Sequence, residues 1–367
     1  MPCGPPRNRD RSDTDRIQAT RFTIHLFYRQ GPGMQLNAGA LRIVNEMLAR
    51  PNALGVACHT TAAGSRIVDC GVKAAGSIEA GVLLARAAMA GLGTVRVEEP
   101  GDASTAFAHV WPGCEWPIVA VESEQPLAAC LASQYAGWKV STPNYFAMAS
   151  GPIRAAIGRE DLFDDIGMRE RPDDAIGLLE TAKLPPDDVA ASLAAEAGVA
   201  TDRLVLLVAR TASTAGTLQV IARSLETALH KLHDLHFDLR RIRRGSGRAP
   251  LAPVPRKDDL LAIGRTNDAI LYGGHVVLEV TGDDDSLLAI GPRMVSRASP
   301  DYGAAFCTLF ERAGRDFYAL DPALFAPALV DLVNVDTGRR HRFGGVAPEI
   351  VNTSFTTPQA AATGSGT

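Results

Sequence analysis

The stretch that most constrains the fold is residues 211–238, TASTAGTLQVIARSLETALHKLHDLHFD. The loop at its start carries hydroxyl groups that can cap a helix, and Gly216 permits a close backbone approach. After it, apolar residues recur every three or four positions, which is the pattern of one long helix with a buried face. This apolar stripe comprises Leu218, Ile221, Leu225, Ala228 and Leu232. The sequence therefore predicts a loop followed by a long helix packed on a core.

An arginine and a glutamate lie one turn apart on the other side of this predicted helix. Arg223 and Glu226 have i,i+3 spacing, and His230 and His233 follow them. Spacing alone favours a solvated face, on which such an ion pair contributes ~0.2–0.5 kcal/mol. The histidines recur with His236 every three positions, which spreads them around a helix, and the H-E-x-x-H motif is absent. The sequence therefore predicts no metal site.

Composition indicates a globular chain that acts on small molecules or other subunits. A length of 367 residues suggests two domains, and a content of 46% hydrophobic and 21% charged residues is typical of a globular protein. A net charge of −4 gives no electrostatic reason to expect nucleic acid as a partner. We find no signal peptide and no apolar run near the ~20 residues that span a bilayer, so we predict a cytoplasmic protein with no membrane partner. The six cysteines show no C-x-x-C spacing, which predicts free thiols.

The order of predicted helices and strands is typical of an α/β (α+β layered) fold. We predict a first α/β domain at residues 34–160 and a second at 201–355. Residues 161–200 are predicted as an acidic helical connector, with helices near 175–182 and 190–196. The ends are predicted to be disordered, at residues 1–33, with Met34 as the natural start, and at 356–367. No G-x-G-x-x-G motif follows a strand, so no dinucleotide site is predicted.

Three polar segments are candidates for binding. Ser150, Gly151 and Arg154 lie at a predicted helix start that could hold an anion, although a capped helix with a surface arginine is the more ordinary interpretation. Residues 240–248, RRIRRGSGR, are predicted as a basic loop that faces either polyanions or solvent. Residues 264–268, GRTND, are predicted as a polar loop with strong hydrogen-bonding capacity.

Eight short blocks follow one another along residues 36–355. They are DCGV at 69–72, GS-x-EAG at 76–81, Q-x-AGW at 134–138, YF-x-M-x-SGP-x-R at 145–154, TAS-x-AG at 211–216, ETALHKLH at 226–233, GRTNDAI at 264–270 and DPALFAPA at 321–328. In content and order these blocks resemble the methenyltetrahydromethanopterin cyclohydrolase family. Each block is weak alone, but the set in this order makes the resemblance specific.

The resemblance implies two α/β domains with a substrate pocket between them, assembled as a homotrimer. It implies hydrolysis of 5,10-methenyltetrahydromethanopterin to the 5-formyl compound, a reversible step of one-carbon transfer and formaldehyde oxidation in methylotrophy. The pterin substrate is already an electrophilic cation, so neither a metal nor another cofactor is expected. The catalytic Arg and Glu of the family fall on Arg223 and Glu226. We predict that Glu226 is the general base for the attacking water and that Arg223 assists it.

Further residues are predicted to hold the substrate, because the pterin edge needs hydrogen-bonding partners. They are Gln134, Ser150, Gly151, Arg154, Ser213, Arg265, Asn267 and Asp268. Three alternatives remain open: a cyclohydrolase for a tetrahydrofolate-type carrier, a pterin-binding protein without catalysis, and an interaction protein that acts through residues 240–248. A non-catalytic carrier would not need Glu226, so its presence beside Arg223 disfavours that alternative.

Overall fold

The computed structural model describes residues 35–101, 106–255, 257–316 and 319–358. The strands in these residues are β1 (Ala57–Thr60), β2 (Arg66–Asp69), β3 (Thr94–Glu98), β4 (Ile118–Ser123), β5 (Trp138–Thr142), β6 (Tyr145–Ser150), β7 (Ala175–Glu180), β8 (Leu204–Ala209), β9 (Ile242–Pro250), β10 (His275–Val280), β11 (Leu329–Asn334) and β12 (Arg340–Gly344). The α-helices are α1 (Leu36–Ala49), α2 (Pro51–Leu54), α3 (Ile78–Ala88), α4 (Ile153–Ile157), α5 (Leu162–Ile166), α6 (Asp187–Ala197), α7 (Thr214–Ile221), α8 (Ser224–Asp234), α9 (Asp259–Leu271), α10 (Asp284–Ile290), α11 (Phe306–Arg312) and α12 (Pro348–Thr356). A π-helix, Leu127–Gln134, lies between β4 and β5.

The first sheet has the strand order β1-β2-β8-β7-β6-β5 and is covered on both faces. Its centre is parallel, because β8 pairs in parallel with both β2 and β7. On one face of β8, Val205 and Leu207 pack in a core with α1 and α3. On the other face, Leu206 and Val208 pack in a core with α6. A strand buried on both faces is expected to be apolar throughout, as β8 is.

One secondary-structure prediction in this sheet is wrong. Residues 175–182 were expected to be helical, but β7 occupies Ala175–Glu180 and is the parallel neighbour of β8. A short apolar run that is buried on both faces has no alternation, so its pattern does not distinguish a strand from a helix. The second helix predicted in this segment, near residues 190–196, is confirmed by α6.

The second sheet has the strand order β12-β11-β10-β9-β4-β3, and only β10 and β11 pair in parallel. Its inner face packs on α8, where Leu225 and Leu229 share a core with Val276 and Leu278 of β10. The sheet therefore supports the helix that carries Glu226.

The prediction of a basic loop at residues 240–248 is wrong. Most of it forms β9, a central strand that hydrogen-bonds to β4 on one side and to β10 on the other. A Cβ added to Gly247 would lie 2.4 Å from the Oγ of Ser224, and one added to Gly245 would lie 2.6 Å from a methyl group of Leu225. These glycines therefore mark a close approach of α8 to the sheet and not a turn.

Four of the five arginines of this segment have acidic partners among the described residues. Arg244 pairs with Glu124 at 3.1 Å, and Arg248 pairs with Glu98 at 3.5 Å and with Glu122 at 3.3 Å. Arginines that already pair with carboxylates give weaker support to a polyanion-binding surface than an unpaired basic loop would.

The α/β fold class is confirmed by these two mixed sheets and their helices. The first sheet takes strands from residues 57–69 and 138–209, and the second from 94–123 and 242–344, so the sheets divide the chain differently from the predicted segments. The domain boundaries stay a prediction. Of the tail predicted to be disordered at 356–367, Thr356 lies in α12, which contradicts the prediction there. Residues 359–367 and the predicted disordered segment 1–33 lie outside the described residues. No helix in the described residues is long and apolar enough to cross a membrane.

Candidate active site

The predicted long helix is interrupted where the two candidate catalytic residues begin. The apolar stripe is confirmed, since Leu218, Ile221, Leu225, Ala228 and Leu232 are all buried. The prediction of one continuous helix is wrong, because α7 ends at Ile221 and α8 begins at Ser224.

A side chain from another segment stabilises this interruption. The Nε2 of Gln134, at the end of the π-helix, donates to the carbonyl oxygen of Ala222 at 3.1 Å. A side chain that bonds to the backbone between two helical turns is a common cause of a helix break. As a result Arg223 is the residue before α8, and Glu226 lies in the first turn of α8.

Arg223 is held inside the protein by neutral partners. Arg223 is only 8% exposed. Its Nη2 donates to Ser150 Oγ and to Gln219 Oε1, both at 3.2 Å. Its buried Nε has no hydrogen-bond partner. Within the described residues, Arg223 and Glu226 form no ion pair closer than 4.0 Å. The expectation of an exposed surface pair therefore does not hold, and the guanidinium keeps unused hydrogen-bonding capacity.

Glu226 is a buried carboxylate without a protein hydrogen bond. The residue is 6% exposed, and within the described part of the chain no group donates to its carboxylate. Burial raises the pKa of Glu226 to about 7, against the opposing influence of the Arg223 and Arg154 charges. A carboxylate whose pKa lies near neutral pH is suited to accept a proton in one step and return it in the next.

Aromatic and charged side chains enclose this carboxylate. Tyr135 stacks on His230 with ring centroids 4.3 Å apart, and the Arg154 guanidinium lies 4.8 Å from the Tyr135 ring centre. Arg154 donates to the carbonyl of Leu131 at 2.8 Å and pairs with Glu160 at 2.6 Å. Because Arg154 is buried and has these partners, it fixes the wall of the site and is not the surface arginine of the ordinary interpretation.

The structure brings together five of the predicted site residues. They are Gln134, Ser150, Arg154, Arg223 and Glu226. Gly151 lies beside them and has a φ of +93°, a conformation that favours glycine, and its N–H donates to the carbonyl of Ser133 at 2.8 Å. Gln134 and Arg223 each present a buried polar atom without a partner, namely Oε1 and Nε. Such atoms are expected to bond with water or ligand.

Ser213 lies away from this group, at the opposite end of α7. The helix has 8 residues, which places its ends about 12 Å apart at ~1.5 Å per residue. Ser213 Oγ accepts from Gly216 N–H at 3.0 Å and donates to the carbonyl of Arg210 at 2.7 Å. Both functions of the hydroxyl are thus used in capping α7.

The other three predicted residues lie on α9. The prediction of a loop at residues 264–268 is wrong, because these residues lie inside helix α9. Asp268 accepts from Phe306 N–H at 2.8 Å and from Ser354 Oγ at 2.6 Å, and Asn267 bonds to the carbonyl of Ile263 within its own helix at 2.8 Å.

Arg265 donates to three backbone carbonyls. It donates to Pro253 at 2.9 Å, to Ser354 at 3.3 Å and to Thr357 at 2.8 Å. These contacts tie α12 to α9. Arg265 therefore holds α12 against α9.

Sequence reasoning missed two residues that shape the site. Gln219 anchors Arg223, and it is recognisable only as a polar residue one turn before Arg223. Tyr135 follows Gln134 directly, but nothing in the local pattern shows that it packs on His230.

In the described ranges, no three His, Cys, Asp or Glu side chains cluster in a way that could hold a metal ion. That no cofactor is needed stays a prediction.

Comparison with known proteins shows the family of this chain. The sequence model of the family described as Cyclohydrolase (MCH) matches residues 35–355. A methenyltetrahydromethanopterin cyclohydrolase from Methylobacillus flagellatus is 40% identical over 313 residues, 85% of this chain and 93% of that protein. Proteins of the same name are 42% identical over 300 residues in Rhodopirellula baltica (80% of this chain, 87% of that protein) and 36% over 325 residues in Methanothermobacter marburgensis (88% and 99%). The chain belongs to the methenyltetrahydromethanopterin cyclohydrolase family.

Proposed function

We propose that this protein hydrolyses 5,10-methenyltetrahydromethanopterin to 5-formyltetrahydromethanopterin. The observation that carries the proposal is the Glu226 carboxylate, which is buried beside Arg223 and lacks any hydrogen-bond donor among the described residues. A buried carboxylate without a donor is unfavourable for folding, so its retention is explained by a ligand or a reaction. The names of the similar proteins supply the chemical class.

The reaction begins at the methenyl carbon, which bridges the ring nitrogen and the arylamine nitrogen in a cation. Water attacks this carbon, a C–O bond forms, and Glu226 takes one proton, which leaves a neutral hydrate. When the bond from carbon to the arylamine nitrogen breaks, Glu226 returns that proton to the nitrogen and accepts the hydroxyl proton. A neutral formyl group remains on the ring nitrogen, and one proton in total must leave the protein.

Arg223 assists through its position and its charge. Ser150 and Gln219 hold one nitrogen of the guanidinium, and the buried Nε has no protein partner. The guanidinium can therefore orient the water and stabilise the oxygen as negative charge develops on it. The Arg223 charge also opposes the rise in the pKa of Glu226 that burial causes, and with a pKa of about 7 part of the carboxylate population is ionised at neutral pH.

Substrate recognition is assigned to the groups that the fold leaves open near Glu226. The Oε1 of Gln134 is buried without a partner, Ser150 contacts Arg223, and Gly151 bonds to Ser133 next to Gln134. An amide oxygen of this kind suits the amino and N–H donors of a pterin. The binding roles predicted for Arg154, Ser213, Arg265, Asn267 and Asp268 stay predictions, since their described contacts are all within the protein.

The wider setting is part of the proposal. The enzyme acts in one-carbon metabolism, in formaldehyde oxidation of the methylotrophic type, as a cytoplasmic homotrimer without metal or other cofactor. Similarity to the named cyclohydrolases supports the reaction in this setting. The pathway, the trimer and the absence of a cofactor are what the family resemblance of the sequence blocks implies, and the compartment is a prediction from the sequence.

The test follows the loss of the methenyl chromophore. Wild type is compared with Glu226→Gln, on both methenyltetrahydromethanopterin and the tetrahydrofolate analogue, after thermal melts have shown equal folding. We expect wild type to hydrolyse the methanopterin form and the variant to lose about 10²–10⁴-fold in kcat. Glu170→Gln is the matched control, because burial also raises the pKa of Glu170 but its carboxylate is bonded to Asn37.

Each other outcome contradicts a defined part of the proposal. Full activity of Glu226→Gln would place the base elsewhere. Binding by wild type without hydrolysis would indicate a pterin carrier protein. Faster turnover of the tetrahydrofolate form would assign the enzyme to that carrier.

A further inference from the structure

The proposed reaction leaves Glu226 with a proton that it must release. A cation and water give a neutral formyl product and one proton, so each turnover in this direction exports a proton and each reverse turnover imports one. Glu226 is only 6% exposed, and no described residue bonds directly to its carboxylate. A buried base that exchanges one proton per turnover needs a path to solvent.

Helix α8 carries titratable groups at four-residue intervals from Glu226 towards the surface. His230 and Asp234 follow Glu226 on the same side of the helix, because residues four apart are neighbours with Cβ atoms about 5–6 Å from each other. Side-chain exposure rises along the row, to 30% at His230 and 42% at Asp234. The Nε2 of His230 lies 3.6 Å from an oxygen of Asp234. The row therefore leads from the buried carboxylate to solvent.

The surroundings of His230 fix its ring and keep it neutral. Burial lowers the pKa of His230, the Asp234 charge opposes this, and nearby cations lower it further. A neutral imidazole can accept a proton from one side and release it on the other. The charged and aromatic groups that face this ring are Tyr135 after the π-helix, Arg154 of α4, and Lys231, His233 and Asp234 of α8 itself.

We propose that His230 carries the proton between Glu226 and solvent, through a bridging water on the Glu226 side and past Asp234 at the surface. This inference rests on the proposed hydrolysis. It assigns His230 a role in proton exchange and no contact with the reacting carbon. Stacking with Tyr135 holds the imidazole plane beside the site.

The test measures kcat of His230→Gln and His230→Ala in weak buffer and then with increasing imidazole. We expect kcat to fall by about tenfold, less than the ~10²–10⁴ lost with the base itself, and KM to stay near that of wild type. Added imidazole should restore kcat in the variants, the alanine variant most because it leaves room, and leave wild type unchanged. A residue with only a structural role would show no such rescue.

His233→Gln is the matched control. His233 lies on the same helix with 26% side-chain exposure, but its Nε2 bonds to Asp165 at 2.8 Å. We expect this variant to keep the wild-type kcat at every buffer concentration. Buffer dependence of the same size in His233→Gln would contradict a specific path through His230.

Failure of the relay and failure of the hydrolysis are distinguishable in this assay. If wild type turns over, Glu226→Gln does not, and both His230 variants keep full kcat in weak buffer, only the relay is overturned. If the His230 variants lose activity that imidazole does not restore, His230 is a packing partner of Tyr135 and the relay is again overturned. If wild type does not hydrolyse the substrate, the proposed function and the relay fail together.

Discussion

Two buried pairs with the same spacing differ in their hydrogen-bond partners. Arg223 and Glu226 are three positions apart, as are Arg265 and Asp268, and all four residues are buried. Burial raises the pKa of both acids to about 7. Neither arginine forms an ion pair closer than 4.0 Å with its own acid among the described residues. By sequence spacing, burial and pKa the two pairs are alike.

The difference between the pairs is in their hydrogen-bond partners. Asp268 accepts from Phe306 and from Ser354, and Arg265 donates to three backbone carbonyls. Glu226 accepts from no described residue, and Arg223 has a buried nitrogen without a partner. A satisfied pair stabilises the fold, whereas an unsatisfied pair is available to water and substrate. A raised pKa alone therefore does not identify the general base.

The largest expected difference between the pairs is in activity. Glu226→Gln is expected to lose about 10²–10⁴-fold in kcat, because a positioned general base contributes that much. Asp268→Asn is expected to keep kcat. Its amide oxygen can still accept from Phe306 N–H, and its amide nitrogen can donate to the Ser354 hydroxyl oxygen. Both variants are assayed per folded molecule on the methenyl substrate. A comparable loss in Asp268→Asn would break the comparison and place Asp268 at the reacting centre.

The second difference is in stability after truncation. Asp268→Ala leaves the buried Phe306 N–H and the Ser354 hydroxyl without an acceptor. We expect it to lower the free energy of unfolding by about 2–6 kcal/mol, at ~1–3 kcal/mol for each stranded group. Glu226→Ala strands no donor and should lose less than half as much. Urea denaturation of both variants measures this, and equal losses would show that Glu226 has a structural partner.

The third difference is in the pH dependence of stability. Because the pKa of Glu226 is raised from 4.5 to about 7 in the folded state, the folded protein binds more protons than the unfolded chain between these values. Stability is therefore lost as pH rises through this window and is constant above it. Glu226→Gln removes the buried charge, so at pH 8 it should exceed wild type in the free energy of unfolding by on the order of 2 kcal/mol.

At pH 4, where Glu226 is protonated in both states, the same variant and wild type should be equally stable. Asp268→Asn is the companion measurement, because the pKa of Asp268 is raised over a similar range but its carboxylate has two donors. Equal unfolding energies of wild type and Glu226→Gln at both pH values would mean that the carboxylate is better solvated than its burial indicates.

The fold could be predicted where local patterns carry the information. The stripe from Leu218 to Leu232 gave the correct buried face of the helices. The strand at β7 and the strand at β9 were missed for different reasons. The first is buried on both faces and has no alternation, and the second contains glycines that only the packing of α8 explains. Both errors concern contacts between segments far apart in the chain.

The candidate site was predictable as a set of residues but not as an arrangement. Resemblance to a family pointed to Arg223 and Glu226, whose spacing by itself favoured a surface pair. No local pattern could show that Gln134 bonds to Ala222 and interrupts the helix there, because the two residues are 88 positions apart. Likewise, the three residues on α9 have the side chains of a binding loop but bond within the protein.

The smallest expected effect extends the comparison to two serines. Ser213 uses its hydroxyl as acceptor and donor in capping α7, whereas Ser150 contacts Arg223. Ser213→Ala should lower the free energy of unfolding by about 1 kcal/mol, as loss of an N-cap usually does, with kcat and KM unchanged. Ser150→Ala should leave stability nearly unchanged and lower kcat, because it frees one side of the Arg223 guanidinium. If Ser213→Ala instead raises KM without a change in melting, Ser213 binds substrate and hydrogen-bond saturation does not separate structural residues from functional ones in this protein.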